Sequence, residues 1–214
     1  MTLQGDKVHS VPLGDKYIKY IQMNLFFINQ YLEGCALEAC DKHVVKMILE
    51  TAQLLYSAWW CRSGDLPPSE LQPYRKTHIN HPMSIWVRES ETNYQFACYY
   101  GLLLCHEYTQ RYGKYHKTEA HIRQLYQWGF PPLQLEIPPA KKPKPIDYAY
   151  HDVPHGIQYI PLCMGKEFYI RDENNNLLGV ESYRNYYMSK QNNFSMTWKN
   201  KEHPQWFKSI NNVN

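Results

Sequence analysis

Residues 40–55, CDKHVVKMILETAQLL, decide the fold of this chain. Their apolar side chains recur every three or four positions, which is the spacing that places them on one side of an α-helix. The pattern predicts a helix from Cys40 to Trp60, with Asp41 able to cap its first turn. Glycine and proline residues follow closely, so we expect the helix to end soon after Trp60.

Three further helices are expected later in the chain. Pro82 suits the first turn of a second long helix, which the apolar spacing extends to Tyr112, where Gly113 stops it. A shorter helix is expected over residues 118–128 and a last helix over residues 180–198. The helices therefore make up most of the predicted structure.

Three segments lack a helical pattern. The apolar run MNLFFIN, which starts at Met23, predicts a short buried strand or extended segment. Residues 130–156 are rich in proline with interleaved lysines, which is typical of a loop. Residues 157–180 are expected to form a small hairpin around residues 172–176.

These features predict a mainly α fold. The chain has 214 residues, of which 43% are hydrophobic, so it is long enough to bury a core. We expect residues 1–22 to be an N-terminal extension and residues 23–214 to be a single compact helical domain. That domain would have a short N-terminal extended segment, a Pro/Lys-rich loop at about 130–156 and a small irregular or hairpin region before the last helix.

The cysteines and apolar runs bear on where the protein works. None of the six cysteines forms a CxxC pair, and residues 1–22 contain no apolar core of a secretory signal. We therefore expect buried, reduced thiols in an intracellular protein, in the cytoplasm or nucleus of a host or in a viral factory, and not a secreted one. No run approaches the roughly 18 apolar residues of a membrane span, so no membrane partner is expected.

A polar stripe interrupts the apolar surface of the first predicted helix. At about 100° per residue, several polar side chains share a face about 80° wide. They are His43, Lys46, Glu50, Gln53 and Ser57. A carboxylate one turn from an amine suits acid–base, nucleophilic or charge-stabilising chemistry, so Glu50, Lys46 and His43 are candidate catalytic residues. The alternative is an ordinary solvated helix face with an ion pair at i,i+4.

Basic residues gather at two later places. The first set lies around the start of the second predicted helix, where free N–H groups favour phosphate. It consists of Arg75, Lys76, His78, His81 and Arg88. The second set is interleaved with tyrosines, which suits a surface that follows phosphates and stacks on bases. It contains Arg111, Lys114 and Lys117, with His116, His121 and Arg123 close by in the sequence. Both sets are candidate nucleic-acid- or phosphate-binding residues, and DNA is the expected partner.

Cofactor and metal motifs are missing from the sequence. It contains no P-loop, no GxGxxG and no GxSxG. His43 with Glu50, and His78 with His81, have the right ligand types but not the spacing of a zinc site. We therefore expect neither a cofactor nor a metal ion.

Motifs spread from Met23 to Lys208 carry a resemblance to known proteins. They are residues 40–55, Asn80-His81-Pro82, Glu107-Tyr108, Arg111-Tyr112-Gly113-Lys114, Tyr183-Arg184-Asn185-Tyr186-Tyr187 and Pro204-Gln205-Trp206-Phe207. Together they resemble a set of uncharacterised proteins common in bacteriophages and large DNA viruses. The resemblance implies a viral protein and carries no activity with it.

Three of these features also carry a fainter resemblance. Asp41-Lys42-His43-Val44 opens the helix with the polar stripe, His81-Pro82 starts the second long helix, and Pro204-Gln205-Trp206-Phe207-Lys208 forms an aromatic and basic tail. They resemble the pyrimidine-dimer DNA glycosylases of the phage endonuclease V type. That resemblance implies a compact helical enzyme that binds damaged DNA, flips out a base and attacks the sugar with an amine beside a glutamate. Glu50 would then stabilise the developing sugar cation.

The attacking amine departs from that family's pattern. In the glycosylases it is the amine of the residue that follows the initiator methionine, whereas Thr2 here lies well before the matching segment, which starts at Met23. Lys46 beside Glu50 is therefore the hypothesised Schiff-base former.

Three functions stay open from the sequence. The first is a DNA-processing protein such as a base-excision glycosylase/lyase, a hydrolase of DNA repair. The second is an enzyme that acts on a small phosphorylated substrate such as a nucleotide. The third is a non-catalytic viral binding protein in which the polar stripe is an interface.

Overall fold

The computed structural model describes residues 23–135, 146–150 and 159–209. The expected N-terminal extension, residues 1–22, and much of the Pro/Lys-rich loop lie outside the described residues. The mainly α fold is confirmed. The elements are α1 Leu32–Leu37, α2 Asp41–Arg62, α3 Pro82–Glu89, α4 Glu91–Tyr112, α5 Glu119–Trp128, β1 Tyr148–Tyr150, β2 Tyr159–Pro161, β3 Ile170–Arg171, β4 Leu177–Leu178 and α6 Gly179–Met188, with 3₁₀ turns at Lys166–Phe168 and Ser189–Asn192.

The two 22-residue helices α2 and α4 pack together at the centre of the fold. Gly101 in α4 allows this, because a Cβ atom there would lie 2.8 Å from Ile122 Cδ1 and 3.0 Å from the methyl carbon of Thr51. A larger residue would push α2 and α5 away from α4. Among the described residues, no helix combines the length and the apolar character that a membrane span requires.

The apolar run at Met23 is a buried segment without regular secondary structure, so the extended alternative describes it better than a strand. Its side chains contact several elements. The ring of Phe27 stacks on Phe96 of α4 with centroids 5.3 Å apart. The side chain of Asn24 donates to the carbonyl of Cys163 at 3.1 Å and accepts from the hydroxyl of Tyr183 at 3.2 Å. The segment is thereby fixed between α2, α4 and α6.

The start of α2 differs from its prediction. Asp41 is the first helical residue and Cys40 is the N-cap, so the capping role expected for Asp41 is wrong. The carboxylate of Asp41 instead accepts from the backbone N–H of Lys199 at 2.9 Å and from the hydroxyl of Thr197 at 2.8 Å. The Asp41 carboxylate therefore holds the last described segment of the chain against α2. The two are far apart in the sequence, so only folding brings them together.

The second long helix is divided in two, so its prediction as one helix from Pro82 to Tyr112 is wrong. Ser90 has extended backbone angles, and its hydroxyl accepts from the N–H of Asn93 at 3.1 Å. Ser90 is therefore the N-cap of a new helix, because this side-chain acceptor satisfies an N–H that the preceding helix would otherwise pair. The stop at Gly113 is confirmed by its left-handed φ of 66°.

The last helix is shorter than expected. It ends at Met188 and continues only as the 3₁₀ turn Ser189–Asn192, where the hydroxyl of Ser189 donates back to the carbonyl of Tyr186 at 2.6 Å.

The hairpin around residues 172–176 is confirmed as the antiparallel pair β3 and β4. The pair β1 and β2 was not predicted, because β1 lies within the proline-rich stretch.

Arg111 joins α4 to the start of α2. Its side chain is buried and donates to Glu107 at 2.9 and 3.1 Å, to Asp41 at 3.1 Å and to the carbonyl of Ala39 at 2.8 Å. Lys201 also reaches Glu107 at 2.7 Å. A buried cation with this many acceptors is part of the folded framework.

We expect Arg111→Ala to lower the free energy of unfolding by about 3 kcal/mol, because it leaves buried acceptors without their cation. Lys166→Ala is the control, since it removes a surface ion pair whose lysine side chain is 76% exposed. The free energy of unfolding of Lys166→Ala should fall by less than about 1 kcal/mol. Urea denaturation of both variants measures the difference, and equal losses would contradict a structural role for Arg111.

Candidate functional site

The polar stripe of α2 is partly buried, and its surroundings differ from one part of the helix to the next. His43 and Glu50 are buried, whereas the side chain of Lys46 is 57% exposed. Further along, Ser57 is buried and donates to the carbonyl of Thr77 at 2.9 Å. The stripe is therefore partly covered by other segments of the chain and is not an ordinary solvated face.

Glu50 is the central group of the stripe. Its side chain is 6% exposed, and Oε1 lies 2.8 Å from Lys46 Nζ. No described residue donates a hydrogen bond of ordinary geometry to Oε2, which is also buried. Burial raises the pKa of this carboxyl, while Lys46 and the nearby backbone of Asn24 act in the opposite direction. The site thus holds a desolvated carboxyl whose Oε2 is itself buried.

His43 lies in a cluster of aromatic rings. Its imidazole stacks on Phe26 with centroids 4.7 Å apart and meets the edges of Tyr187 at 4.7 Å and Phe194 at 5.4 Å. Burial, followed by the charges of Lys190 and other lysines, lowers its pKa to about 3. The imidazole is therefore neutral near pH 7 and packs as an aromatic ring.

Lys190 is a site residue that the sequence analysis missed. It lies in the 3₁₀ turn after α6, and its Nζ is 3.7 Å from the ring centroid of Tyr186. Burial and then the charge of Lys46 lower its pKa to about 8, while Glu50 raises it. No local motif marks this lysine, and only the packing of the turn against α2 brings it to the stripe.

The loop before α3 approaches the same face through His78. Its charge acts on the pKa of Glu50, its side chain is exposed, and its Nδ1 lies 2.6 Å from the hydroxyl of Thr77. His81 has a different role, because its Nδ1 accepts from the N–H of Met83 and caps α3. Burial, with a smaller contribution from His78, lowers the pKa of His81 to about 4.

Two of the arginines named as phosphate ligands lie inside the fold. Arg88 is buried and donates to the carbonyl of Ile79 at 2.5 Å, so it holds the loop before α3. Arg111 is buried in the network with Glu107 and Asp41 described above. Neither guanidinium is presented to solvent, so the basic surface consists of other residues.

The structure brings the two basic sets together through Tyr74. Its ring stacks on His121 of α5 with centroids 4.6 Å apart, and its hydroxyl lies 3.1 Å from the hydroxyl of Thr118. The exposed cations Arg75 and Lys76 follow Tyr74 directly, and the exposed Lys117 precedes Thr118. Lys114 is exposed beyond the end of α4. A basic surface therefore continues from the loop before α3 to the start of α5.

A further cavity of the described residues has a more apolar lining than the polar stripe. A cavity of about 430 Å³ lies between α1 and α4 and is lined mainly by side chains such as Leu32, Phe96 and Leu103. In the described ranges, no three His, Cys, Asp or Glu side chains are placed to hold a metal ion. All six cysteines are buried and unpaired. The polar stripe with Lys190 is the candidate site.

Comparison with known proteins adds no assignment. No family model, no curated protein and no solved structure matches the chain. The resemblances drawn from the sequence motifs therefore stay expectations, and a proposal on function depends on the geometry of the stripe.

We expect His43→Phe to be tolerated at pH 7 and to change the response to acid. The folded-state pKa of about 3 lies below the value of 6.5 for an unperturbed histidine. The unfolded chain therefore binds more protons at His43. As the pH falls from 6.5 towards 3, this residue lowers the free energy of unfolding. Between pH 7 and pH 4, the free energy of unfolding of wild type should fall by about 3 kcal/mol more than that of His43→Phe. Urea denaturation at each pH measures this, and parallel pH profiles would contradict a neutral, aromatic His43.

Proposed function

We propose that this protein is a DNA-processing enzyme of the base-excision type, a glycosylase/lyase that acts on the sugar of a modified or damaged nucleotide. The observation that carries the proposal is the buried Glu50, whose Oε1 lies 2.8 Å from a lysine amine and whose charge acts on a second lysine, Lys190. The sequence resemblance to pyrimidine-dimer glycosylases, in which an amine acts beside a glutamate, supports the same chemistry.

Glu50 has a direct role in this reaction. When the bond between the base and C1′ breaks, the electron pair leaves with the base, which takes up a proton, and positive charge develops on the sugar. A carboxylate fixed in a desolvated site stabilises that charge more than water does. An amine that adds to C1′ gives a covalent intermediate in place of a free cation. The combination of Glu50 with lysine is suited to both steps.

The basic surface supplies a means of holding DNA. Exposed Arg75, Lys76 and Lys117 lie on elements joined by the Tyr74–His121 stack, and the exposed His78 of the same loop acts electrostatically on Glu50. Cations in such an arrangement neutralise successive phosphates and release counterions. A small phosphorylated substrate has less support, because His81 already occupies an N–H at the start of α3.

DNA binding should depend on salt and on this surface. We expect the double variant Arg75→Ala/Lys76→Ala to bind a labelled duplex at least about tenfold more weakly at low salt, with the slope of log K against log salt reduced by about 2. Lys166→Ala/Arg171→Ala removes the same charge from exposed positions near β3 and is the control. Fluorescence anisotropy measures both, and an equal loss in the two double variants would contradict the assigned surface.

Glu50→Gln should separate catalysis from binding. On a duplex that contains a pyrimidine dimer or an abasic site, we expect the rate of strand cleavage to fall at least about 100-fold, while DNA affinity stays within about twofold. Glu70→Gln, at an exposed position, is the matched control. Full activity in Glu50→Gln would remove Glu50 from the mechanism. A wild-type protein that leaves both duplexes intact, yet melts at a higher temperature with a nucleotide, would favour the small-substrate alternative.

A further inference from the structure

Lys190 is held against the first turns of α2 by the geometry of its own turn. The N–H of Phe194 donates to the carbonyl of Lys190 at 3.2 Å, so the two residues lie one turn apart. The ring of Phe194 meets His43 at 5.4 Å and lies 4.3 Å from Lys42 Nζ. The turn that carries Lys190 is therefore packed on the polar stripe.

The amine of Lys190 lies on an aromatic surface. Its Nζ is 3.7 Å from the ring centroid of Tyr186. Tyr186 packs on Phe26 with centroids 6.2 Å apart, and Phe26 stacks on His43. A continuous set of rings thus connects the amine to the stripe and removes much of its water.

Charged and titratable groups from two helices act on this amine or lie against it. Glu50, Lys46 and the neutral His43 are on α2, and Tyr186 is on α6. The ring of Tyr186 attracts an ammonium, whereas burial and the charge of Lys46 disfavour it. With its pKa at about 8, Lys190 has a substantial neutral fraction near pH 8. Desolvation and a neighbouring cation are the two conditions that make a lysine amine a nucleophile.

Lys46 lacks the first of these conditions, desolvation. Its side chain is more than half exposed, and its Nζ donates to Glu50 at 2.8 Å as an ion-pair partner. Its charge acts to lower the pKa of Glu50 and disfavours the charge on Lys190. The two lysines therefore differ in how far they are exposed to solvent.

We propose that the side-chain amine of Lys190 is the nucleophile of this site and forms a covalent iminium with the aldehyde carbon C1′ of a ring-opened abasic sugar. The DNA substrate in this statement rests on the proposed function, whereas the reactivity of the amine towards aldehydes does not. Lys190 replaces Lys46, the Schiff-base former that the sequence favoured.

The step balances without a further reactant. The lone pair of the neutral amine forms the N–C1′ bond, and the carbonyl electrons move to oxygen, which is protonated. The amine loses a proton, the hydroxyl leaves with a proton as water, and the nitrogen lone pair forms the C=N bond, so one proton is taken up overall. Glu50 is the acidic group close to Lys190 that carries these protons.

Borohydride trapping on an abasic duplex tests the assignment. Hydride reduces the iminium to a stable amine, and mass spectrometry of the digested adduct then identifies the modified lysine. We expect the adduct on Lys190 in wild type, a loss of at least about 100-fold in Lys190→Gln, and retained trapping in Lys199→Gln. Lys199 is the matched control, because its Nζ also lies over a ring, 5.1 Å from Tyr112.

The position of the adduct in wild type tests the assignment to Lys190 even if Lys190→Gln folds poorly. An adduct on Lys46 or any other lysine would overturn the Lys190 assignment and leave the proposed function standing. A wild-type protein that forms no adduct would overturn the reaction with DNA.

A second experiment tests the amine without DNA. Limited labelling of wild type with formaldehyde and cyanoborohydride forms a small iminium on each reactive lysine and reduces it to a methylamine. At pH 8 an ordinary lysine is protonated in all but a small fraction, so Lys190 should label at least about tenfold faster than Lys199. Its rate should rise with a midpoint near pH 8. Labelling no faster than that of Lys199 would overturn the proposal, whatever the DNA experiment gives.

Discussion

A buried carboxylate on α2 constrains the segments packed around it. Glu50 has lost most of its water, and a charge in that position is costly unless cations or N–H groups lie close by. The compensation comes from Lys46 on the same helix, from the backbone of Asn24 and from Lys190 beyond α6. The segment at Asn24 and the turn that carries Lys190 therefore both meet α2 at Glu50. The function that we propose depends on this arrangement.

The sequence predicted the helices well where the signal was local. The periodicity around residues 40–55 and the left-handed Gly113 depend on neighbouring residues only, and both were confirmed. The division at Ser90 was missed, because a serine followed three residues later by Asn93 is a weak cap signal inside an apolar pattern. Asp41 was misassigned for the opposite reason, since its partners Arg111, Thr197 and Lys199 all lie far away in the sequence.

The site could be predicted only in part, and the physical reason is burial. Glu50 and Lys46 are one helical turn apart, so their pairing follows from α2 alone. Lys190 is 140 residues from Glu50, and its depressed pKa arises from packing that no local pattern encodes. The same limit applies to Arg111, because a cluster of cations in a sequence does not distinguish those that face solvent from those that pair inside the fold.

The central claim is that Glu50, Lys46 and Lys190 form one electrostatic unit, and the most direct measurement is the titration of Lys190 by NMR after labelling of the lysines with ¹³C-methyl groups. The account predicts a midpoint near pH 8 in wild type, a lower one in Glu50→Gln and a higher one in Lys46→Gln, because Glu50 raises this pKa and Lys46 lowers it. A Lys190 that titrates like an ordinary lysine and responds to neither substitution would contradict the account.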